Sequence, residues 1–311
     1  MQKTFPCIWF NGNAQQAAQF YKSVFKNTKI GTTTYYGPAM HLPKGTVLTI
    51  TLFIEGREFM LLNAGAEFKP NPSISFFINC KTAKEVKDYY AKLSPGGTVL
   101  MALAKYPFSD LYAWVADKYG VSWQIMLAPK IKRKIVPSLL FTGNNVARAE
   151  EALAFYKKTF KNMKIIQTAK YPQGQAPDGA LLFSRFTLEG NDMSLMSGVG
   201  NHQFTFSEGV SIVVTCKDQK EIDYFWETLS TGGEKSVCGW LKDKFGVSWQ
   251  INHPDFDKMA KNPAGFDKAM QAVLTMTKLD MQAIKDAYNS VKPQKKTAKK
   301  PAKKKAVKKK K

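Results

Sequence analysis

The hexapeptide GVSWQI occurs twice in this chain, at Gly120–Ile125 and again, without change, at Gly246–Ile251. Each copy follows an Asp-Lys-aromatic triplet, and a tryptophan lies at the same distance upstream of both, Trp114 in one case and Trp240 in the other. A sequence that repeats in this way is typical of a duplicated structural unit. The chain is therefore predicted to contain two related domains.

Shorter matches extend the duplication over nearly all of both halves. Phe20–Lys22 recurs as Phe155–Lys157, and further pairs follow in the same order. The spacing between matched residues drifts, which indicates a four-residue insertion before the first helix of the second half. It also indicates a ten-residue excess in the first half, between Thr98 and Trp114. We expect the two domains at residues 1–130 and 135–255.

The apolar residues switch between a helical period and a strand-like alternation in a fixed order. In the first half this pattern predicts a strand, a helix over residues 14–25 and three further strands, after which the same order begins again. The second helix opens with Thr82 and has Glu85 three residues on, which is the pattern of a capping box. The chain thus contains four βαβββ units, at about residues 5–63, 73–127, 137–197 and 209–252.

Two such units side by side can curl into a cupped, eight-stranded mixed sheet with helices outside and a hollow for a small ligand. We predict an α+β protein in which each half forms one cup from its own pair of units. Apolar residues at helical spacing predict C-terminal helices over residues 256–291.

The positive charge of the chain is concentrated at one end. The formal net charge is +22, and the segment Lys292–Lys311 holds twelve lysines and no acidic residue, so the remainder carries only +10. Such a composition predicts a disordered Lys-rich tail that attracts polyanions without regard to base sequence. A solubilising tail with no dedicated partner is the alternative interpretation.

Four widely spaced cysteines form no disulfide or metal-binding pattern, so reduced thiols are expected. The N-terminal residues lack the apolar run of a secretion signal, and no 18-residue apolar span occurs. We expect a cytoplasmic protein that makes no membrane contact.

Several segments together resemble the vicinal-oxygen-chelate superfamily, and within it the PhnB-like branch labelled 3-demethylubiquinone-9 3-methyltransferase-like. The resemblance covers about residues 4–290, including two short helices after the second domain. The segments that carry it are Trp9–Asn13, Glu55–Met60, Cys238–Phe245 and both copies of the hexapeptide.

The resemblance implies a divalent metal held by His and Glu side chains on the first, a middle and the last strand of a cup. The corresponding positions here hold other residues: Pro6 or Cys7 and Pro137 or Ser138 on the first strands, Thr49 and Phe183 on the middle strands, and Gln124 and Gln250 on the last strands. Amide and hydroxyl groups are poor ligands for such an ion. The prediction is therefore a metal-free protein without a cofactor, and bound metal is the alternative.

The three histidines of the chain are not predicted to form a metal site. His41, His202 and His253 are scattered over both halves without paired spacing, and all three are expected in solvent-exposed loops.

Neutral side chains are predicted to line both cups and to bind a neutral or aromatic small molecule. The alternative is that these residues only fill a core, with Gln124 and Gln250 tying down neighbouring strands. The predicted lining is Trp9, Thr49, Asn63, Trp114 and Gln124 in the first half, and Phe141, Phe183, Ser197, Trp240 and Gln250 in the second.

Small-molecule binding is the leading interpretation of function. An enzyme is the first alternative, a methyltransferase by family label or a lyase or dioxygenase by superfamily, although no G-x-G-x-x-G fingerprint follows a strand. No catalytic residue is assigned. The second alternative is a nucleoid-associated protein that binds nucleic acid through its tail. Because the repeat supplies two related domains in one chain, we expect a monomer with pseudo-twofold symmetry.

Overall fold

The computed structural model describes residues 2–38 and 40–291. The predicted disordered tail, residues 292–311, lies outside the described residues. No helix in the described part of the chain combines the length and apolar character needed to cross a membrane.

In the described part of the chain, sixteen strands and seven α-helices form four βαβββ units and a C-terminal helical segment. A short 3-10 helix, Gly143–Arg148, precedes α3. The elements are β1 (Thr4–Phe10), α1 (Ala14–Val24), β2 (Thr28–Tyr35), β3 (Val47–Ile54), β4 (Arg57–Asn63), β5 (Ile74–Cys80), α2 (Ala83–Leu93), β6 (Thr98–Tyr106), β7 (Ser109–Ala116), β8 (Ser122–Leu127), β9 (Ile135–Phe141), α3 (Ala149–Thr159), β10 (Lys164–Lys170), β11 (Leu181–Leu188), β12 (Asn191–Ser197), β13 (Val210–Thr215), α4 (Gln219–Ser230), β14 (Glu234–Lys235), β15 (Trp240–Lys242), β16 (Ser248–Asn252), α5 (Phe256–Met259), α6 (Pro263–Val273) and α7 (Met281–Asn289).

The strands form two eight-stranded mixed sheets, as the sequence predicts. The first sheet has the order β14-β15-β16-β13-β1-β4-β3-β2, and the second has the order β10-β11-β12-β9-β5-β8-β7-β6. Two antiparallel pairs, β1 with β13 and β5 with β9, join the units within each sheet.

The units pair across the two halves of the sequence, which corrects the expectation that each half forms its own cup. The first sheet combines the first and fourth units, and the second sheet combines the second and third. All four units begin with a buried, largely apolar strand, so the pattern of side chains allows either pairing. Only the tertiary structure selects between them.

A shared hydrophobic core joins the helix-bearing faces of the two sheets. Phe59 of the first sheet contacts Phe76 of the second, with ring centroids 5.1 Å apart. Tyr21 on α1 of the first unit packs against Trp123 on β8 of the second unit, at 5.6 Å. The opposite face of each sheet, here called its open face, carries a small separate cluster of apolar side chains.

A buried carboxylate before each hexapeptide explains why the motif is repeated. Asp117 accepts hydrogen bonds from the Tyr21 hydroxyl and the Trp123 indole, both at 2.9 Å. Asp243 makes the same pair of contacts with Tyr156, at 2.7 Å, and Trp249, at 2.9 Å. Each Asp also accepts two backbone N–H groups of its own turn. The repeat is therefore a structural element that fastens a helix to the last strand.

The ten-residue excess of the first half makes one hairpin long. β6 and β7 contain nine and eight residues, whereas their counterparts β14 and β15 contain two and three. The C-terminal segment docks beside the short hairpin, where the backbone N–H groups of Cys238 and Gly239 donate to the carbonyls of Met276 and Thr277, each at 2.7 Å. The two sheets therefore differ at this edge: the second has a long hairpin, and the first has a short hairpin with the C-terminal segment beside it.

Candidate ligand-binding site

The open face of the second sheet forms the wall of a cavity of about 470 Å³. Strands from both halves of the sequence contribute to it, because the second sheet combines the second and third units. Its lining residues are Phe77, Asn79, Met101, Phe108, Tyr112, Trp114, Gln124, Met126, Ile131, Val136, Gln167, Ala169, Tyr171, Leu182, Phe183, Arg185, Ser194, Met196 and Ser197.

Aromatic and methionine side chains dominate this lining and hold one another in place. Phe77 on β5 meets Phe183 on β11 edge to face, with ring centroids 6.1 Å apart. Phe108, at the tip of the long hairpin, contacts Tyr112 at 5.0 Å. Rings fixed by such contacts offer a preformed apolar surface to a flat ligand.

Gln124 lies in the lining with both ends of its amide engaged. Its Oε1 accepts the Tyr112 hydroxyl at 2.6 Å, and its Nε2 donates to Ser75 Oγ at 2.7 Å. The amide therefore ties β7 and β5 to β8. In the first sheet, Gln250 Nε2 donates to Ser211 Oγ at 2.9 Å. These contacts favour the structural role that the sequence left open for both glutamines.

Four of the predicted site residues come together at this cavity, although the sequence assigned them to two different cups. They are Trp114, Gln124, Phe183 and Ser197. The redistribution follows directly from the pairing of units across the halves. Trp114 Nε1 donates to Ser122 Oγ at 2.7 Å, which fixes its indole ring on the cavity wall.

Four others, Trp9, Thr49, Trp240 and Gln250, belong to the first sheet. Trp9 and Trp240 meet there edge to face, with ring centroids 6.0 Å apart, although β13 and β16 separate their strands. Trp9 Nε1 also donates to the Gly65 carbonyl at 2.8 Å. The two indole rings thus occupy space above the middle of the first sheet.

Asn63 and Phe141 lie away from the cavity. Asn63 Oδ1 accepts the Ala14 backbone N–H at 3.0 Å, and its Nδ2 donates to the Val47 carbonyl at 3.0 Å, so the side chain fastens the start of α1. Phe141 is fully buried on the helix-bearing face of the second sheet, where it contacts Phe206 at 5.1 Å.

The sequence did not single out several residues of this wall, among them Phe108, Tyr112, Tyr171 and Arg185. Alternation along β11 was a usable signal for Arg185, because residues two apart on a strand share a face and Phe183 was already predicted to line a cup. Tyr171 gives no such signal, since it lies in the loop after β10 and reaches the cavity only in the folded chain.

Ionisable groups are scarce around the cavity. Burial raises the pKa values of the Tyr112 and Tyr171 hydroxyls above the ordinary tyrosine range, so both remain neutral hydrogen-bonding groups at neutral pH. Arg185 carries the single formal charge of the lining. No carboxylate, histidine, lysine or cysteine contributes to this wall within the described residues.

The positions that hold metal in the superfamily do not fit a divalent ion here. Burial raises the pKa of the Cys7 thiol to about 12, which opposes the thiolate form that a metal requires. The described residues contain no group of three His, Cys, Asp or Glu side chains arranged to hold an ion. Ser138, Gln124 and Gln250 supply only neutral oxygen and amide groups.

His253 departs from the predicted solvent-exposed loop. It is 2% exposed, its Nδ1 accepts the Asp255 backbone N–H at 2.9 Å, and burial lowers its pKa to about 4. The start of α5 causes this burial, because Phe256 packs beside the imidazole at 5.4 Å. His41 contacts the ring of Tyr36 at 5.1 Å, in the loop between β2 and β3.

Paired βαβββ units, mixed eight-stranded sheets and a ligand-sized hollow define a protein of the vicinal-oxygen-chelate fold. A family model described as 3-demethylubiquinone-9 3-methyltransferase matches residues 2–126 and 133–252, and the chain belongs to that family. No curated protein matches the chain.

Solved structures give two further comparisons. The putative 3-demethylubiquinone-9 3-methyltransferase, a PhnB protein from Bacillus cereus, is 36% identical over 41% of this chain and 100% of its own, with a TM-score of 0.39. Glyoxalase I from Zea mays is 12% identical, with a TM-score of 0.54 over 80% of this chain and 90% of its own. The second similarity concerns the fold alone.

Proposed function

We propose that this protein binds a small, largely apolar molecule in the cavity of the second sheet. The observation that carries the proposal is the cavity of about 470 Å³ walled by aromatic and methionine side chains. Ligand pockets in proteins commonly measure about 300–1,000 Å³ and combine an apolar wall with a few fixed polar groups. Gln124, Asn79 and Ser197 lie in this wall as fixed polar groups, each held by a hydrogen bond to another part of the protein.

The chemistry of the wall supports binding over proton-transfer catalysis. A general acid or base needs a pKa near the working pH. The ionisable groups of the wall are two tyrosines with raised pKa values and one arginine. Both tyrosines stay protonated at neutral pH, so they contribute polarity and shape to the wall.

Filling the cavity tests the proposal. Ala169 lies on β10 opposite Phe183 and lines the cavity, so Ala169→Trp places an indole in the ligand volume. We expect affinity for ligands found by thermal-shift screening with small aromatic compounds to fall by at least about tenfold, because the loss of contact area outweighs any new contact. Isothermal titration calorimetry measures the change.

Ile165→Trp is the matched control, since Ile165 lies on the same strand, is 44% exposed and lies outside the cavity wall. This variant should bind as the unmodified protein does. Equal affinity of Ala169→Trp and the unmodified protein for every ligand would show that binding occurs elsewhere.

S-adenosylmethionine belongs in the screen because the family description names a methyltransferase. Saturable binding that Ala169→Trp abolishes would support methyl transfer as the function of the cavity. Binding of aromatic compounds without S-adenosylmethionine supports a carrier or sequestering role.

A further inference from the structure

We infer that the ligand of this cavity carries a negative charge and that Arg185 binds it, an inference that rests on the proposed function. Among the described residues, Arg185 is the single charged residue of the wall. It lies on β11 two residues from Phe183, so strand alternation places both side chains on the open face. A cation among neutral, largely apolar groups loses part of its hydration, and an opposite charge on a ligand would offset that loss.

Neutral groups surround Arg185 within the sheet. Its register partners are Gln167 on β10 and Ser194 on β12, and both also line the cavity. Within the described part of the chain Arg185 forms no salt bridge, whereas Arg148 pairs with Glu151 at 3.0 Å. The protein itself therefore leaves this positive charge unneutralised.

The Nε atom of the Arg185 guanidinium illustrates this loss of hydration. Arg185 Nε is buried and has no hydrogen-bond partner among the described residues. An anionic group in the cavity would supply the opposite charge.

The first sheet has no equivalent of this arginine. Glu55 and Glu189 occupy matching positions before β4 and β12, and the same spacing makes Thr51 the counterpart of Arg185. Thr51 is 8% exposed and neutral. Of these two matched positions, only the one in the second sheet carries a positive charge, and the open face of that sheet has the aromatic cavity.

The shape and charge of the wall together indicate a compact aromatic carboxylate. The rings of Phe77, Trp114 and Phe183 offer flat apolar surface, and the planar fork of a guanidinium matches a carboxylate in two parallel hydrogen bonds. The body of such a ligand would lie against the rings with its acid group at Arg185.

The test compares two probes of nearly the same shape, 2-naphthoate and the neutral 2-naphthamide, by isothermal titration calorimetry on the full chain. We expect the unmodified protein to bind the naphthoate about 10- to 100-fold more tightly, the range for a hydrogen bond to a charged group. Arg185→Gln should abolish this preference and leave naphthamide affinity within about threefold.

Lys164→Gln removes one positive charge from an exposed position on β10 outside the wall, and it should keep the preference. Equal affinity of the unmodified protein for both probes, or a preference that survives in Arg185→Gln, would overturn the inference and leave the proposed function standing. Failure of both probes to bind at millimolar concentration would overturn both proposals.

Discussion

At the scale of single residues, the two buried aspartates connect the repeated sequence to the stability of the fold. Asp243 is 2% exposed and accepts four hydrogen bonds, two from backbone N–H groups at Oδ1 and two from side chains at Oδ2. Burial raises its pKa to about 6, while all four donors favour the ionised form. Each oxygen of the Asp243 carboxylate thus accepts two hydrogen bonds.

Asp243→Asn should destabilise the protein by about 2–4 kcal/mol. The amide replaces one accepting oxygen with a donor, so either the two backbone N–H groups or the Trp249 indole lose their acceptor in a buried site. Urea unfolding followed by tryptophan fluorescence measures the loss.

Asp110→Asn serves as the control, because Asp110 is 76% exposed and makes only a surface ion pair with Lys105. Its free energy of unfolding should change by less than about 0.5 kcal/mol. A similar result for Asp243→Asn would show that the four hydrogen bonds contribute little.

At the scale of elements, local signals in the sequence predict the helices well. Thr82 Oγ1 accepts the Glu85 backbone N–H at 3.2 Å, and the Glu85 carboxylate accepts the Lys81 N–H at 2.7 Å, close to the predicted capping box. Asp218 and Glu221 repeat the arrangement at the start of α4. Such caps depend on neighbours within a few residues, which is why the sequence reveals them.

The long β6–β7 hairpin is the element that makes the two open faces different. Its tip carries Phe108, which is 61% exposed, lines the cavity and stacks on Tyr106 at 5.7 Å. The corresponding hairpin of the first sheet is too short to form such a wall, and the C-terminal segment docks beside it.

Phe108→Ala should weaken ligand binding about 3- to 10-fold while it changes the free energy of unfolding by less than about 1 kcal/mol. The ring contributes more to the cavity wall than to the core because most of its surface is exposed. Calorimetric titration and urea unfolding measure the two effects separately.

Val237→Ala is the matched control, since Val237 is 57% exposed beside the short hairpin of the first sheet. It should alter neither quantity. Unchanged ligand affinity in Phe108→Ala would exclude the hairpin tip from the binding site.

At the scale of the whole molecule, each sheet requires both halves of the sequence. Separate expression of either half would leave β1 or β13 without its antiparallel partner. The covalent repeat supplies both partners, which supports the proposal of a monomer with pseudo-twofold symmetry. The net charge of the chain, +22, favours binding to polyanions such as nucleic acid.

Deletion of Lys292–Lys311 removes twelve lysines and should weaken binding to duplex DNA of arbitrary sequence by at least about tenfold at low salt, because fewer counterions are released. A gel-shift titration measures the change. A chain with all twelve lysines replaced by glutamine controls for length and should behave like the deletion. Unchanged affinity after deletion would exclude the tail as the anchor for nucleic acid.

The candidate site was only partly predictable. The sequence predicted that Trp114, Gln124, Phe183 and Ser197 face a cup, and all four line the candidate cavity. Alternation made this possible, because it fixes the face of a strand on which a side chain lies. It could not bring them into one cavity, since that step depends on which units pair. Arg185 was missed although alternation along β11 indicated its face. Tyr171 was missed because it lies in a loop, where strand alternation gives no signal.

The sequence by itself determined four βαβββ units and the capping box at Thr82, because these depend on periodicity or on neighbours within a few residues. The aspartate contacts belong to the tertiary structure, since Tyr21 and Asp117 lie in different units. The tertiary structure alone decided that the first unit pairs with the fourth and the second with the third. Four buried, largely apolar first strands are compatible with either arrangement, so long-range packing makes the choice. That choice brings Arg185, Trp114 and Gln124 into one cavity.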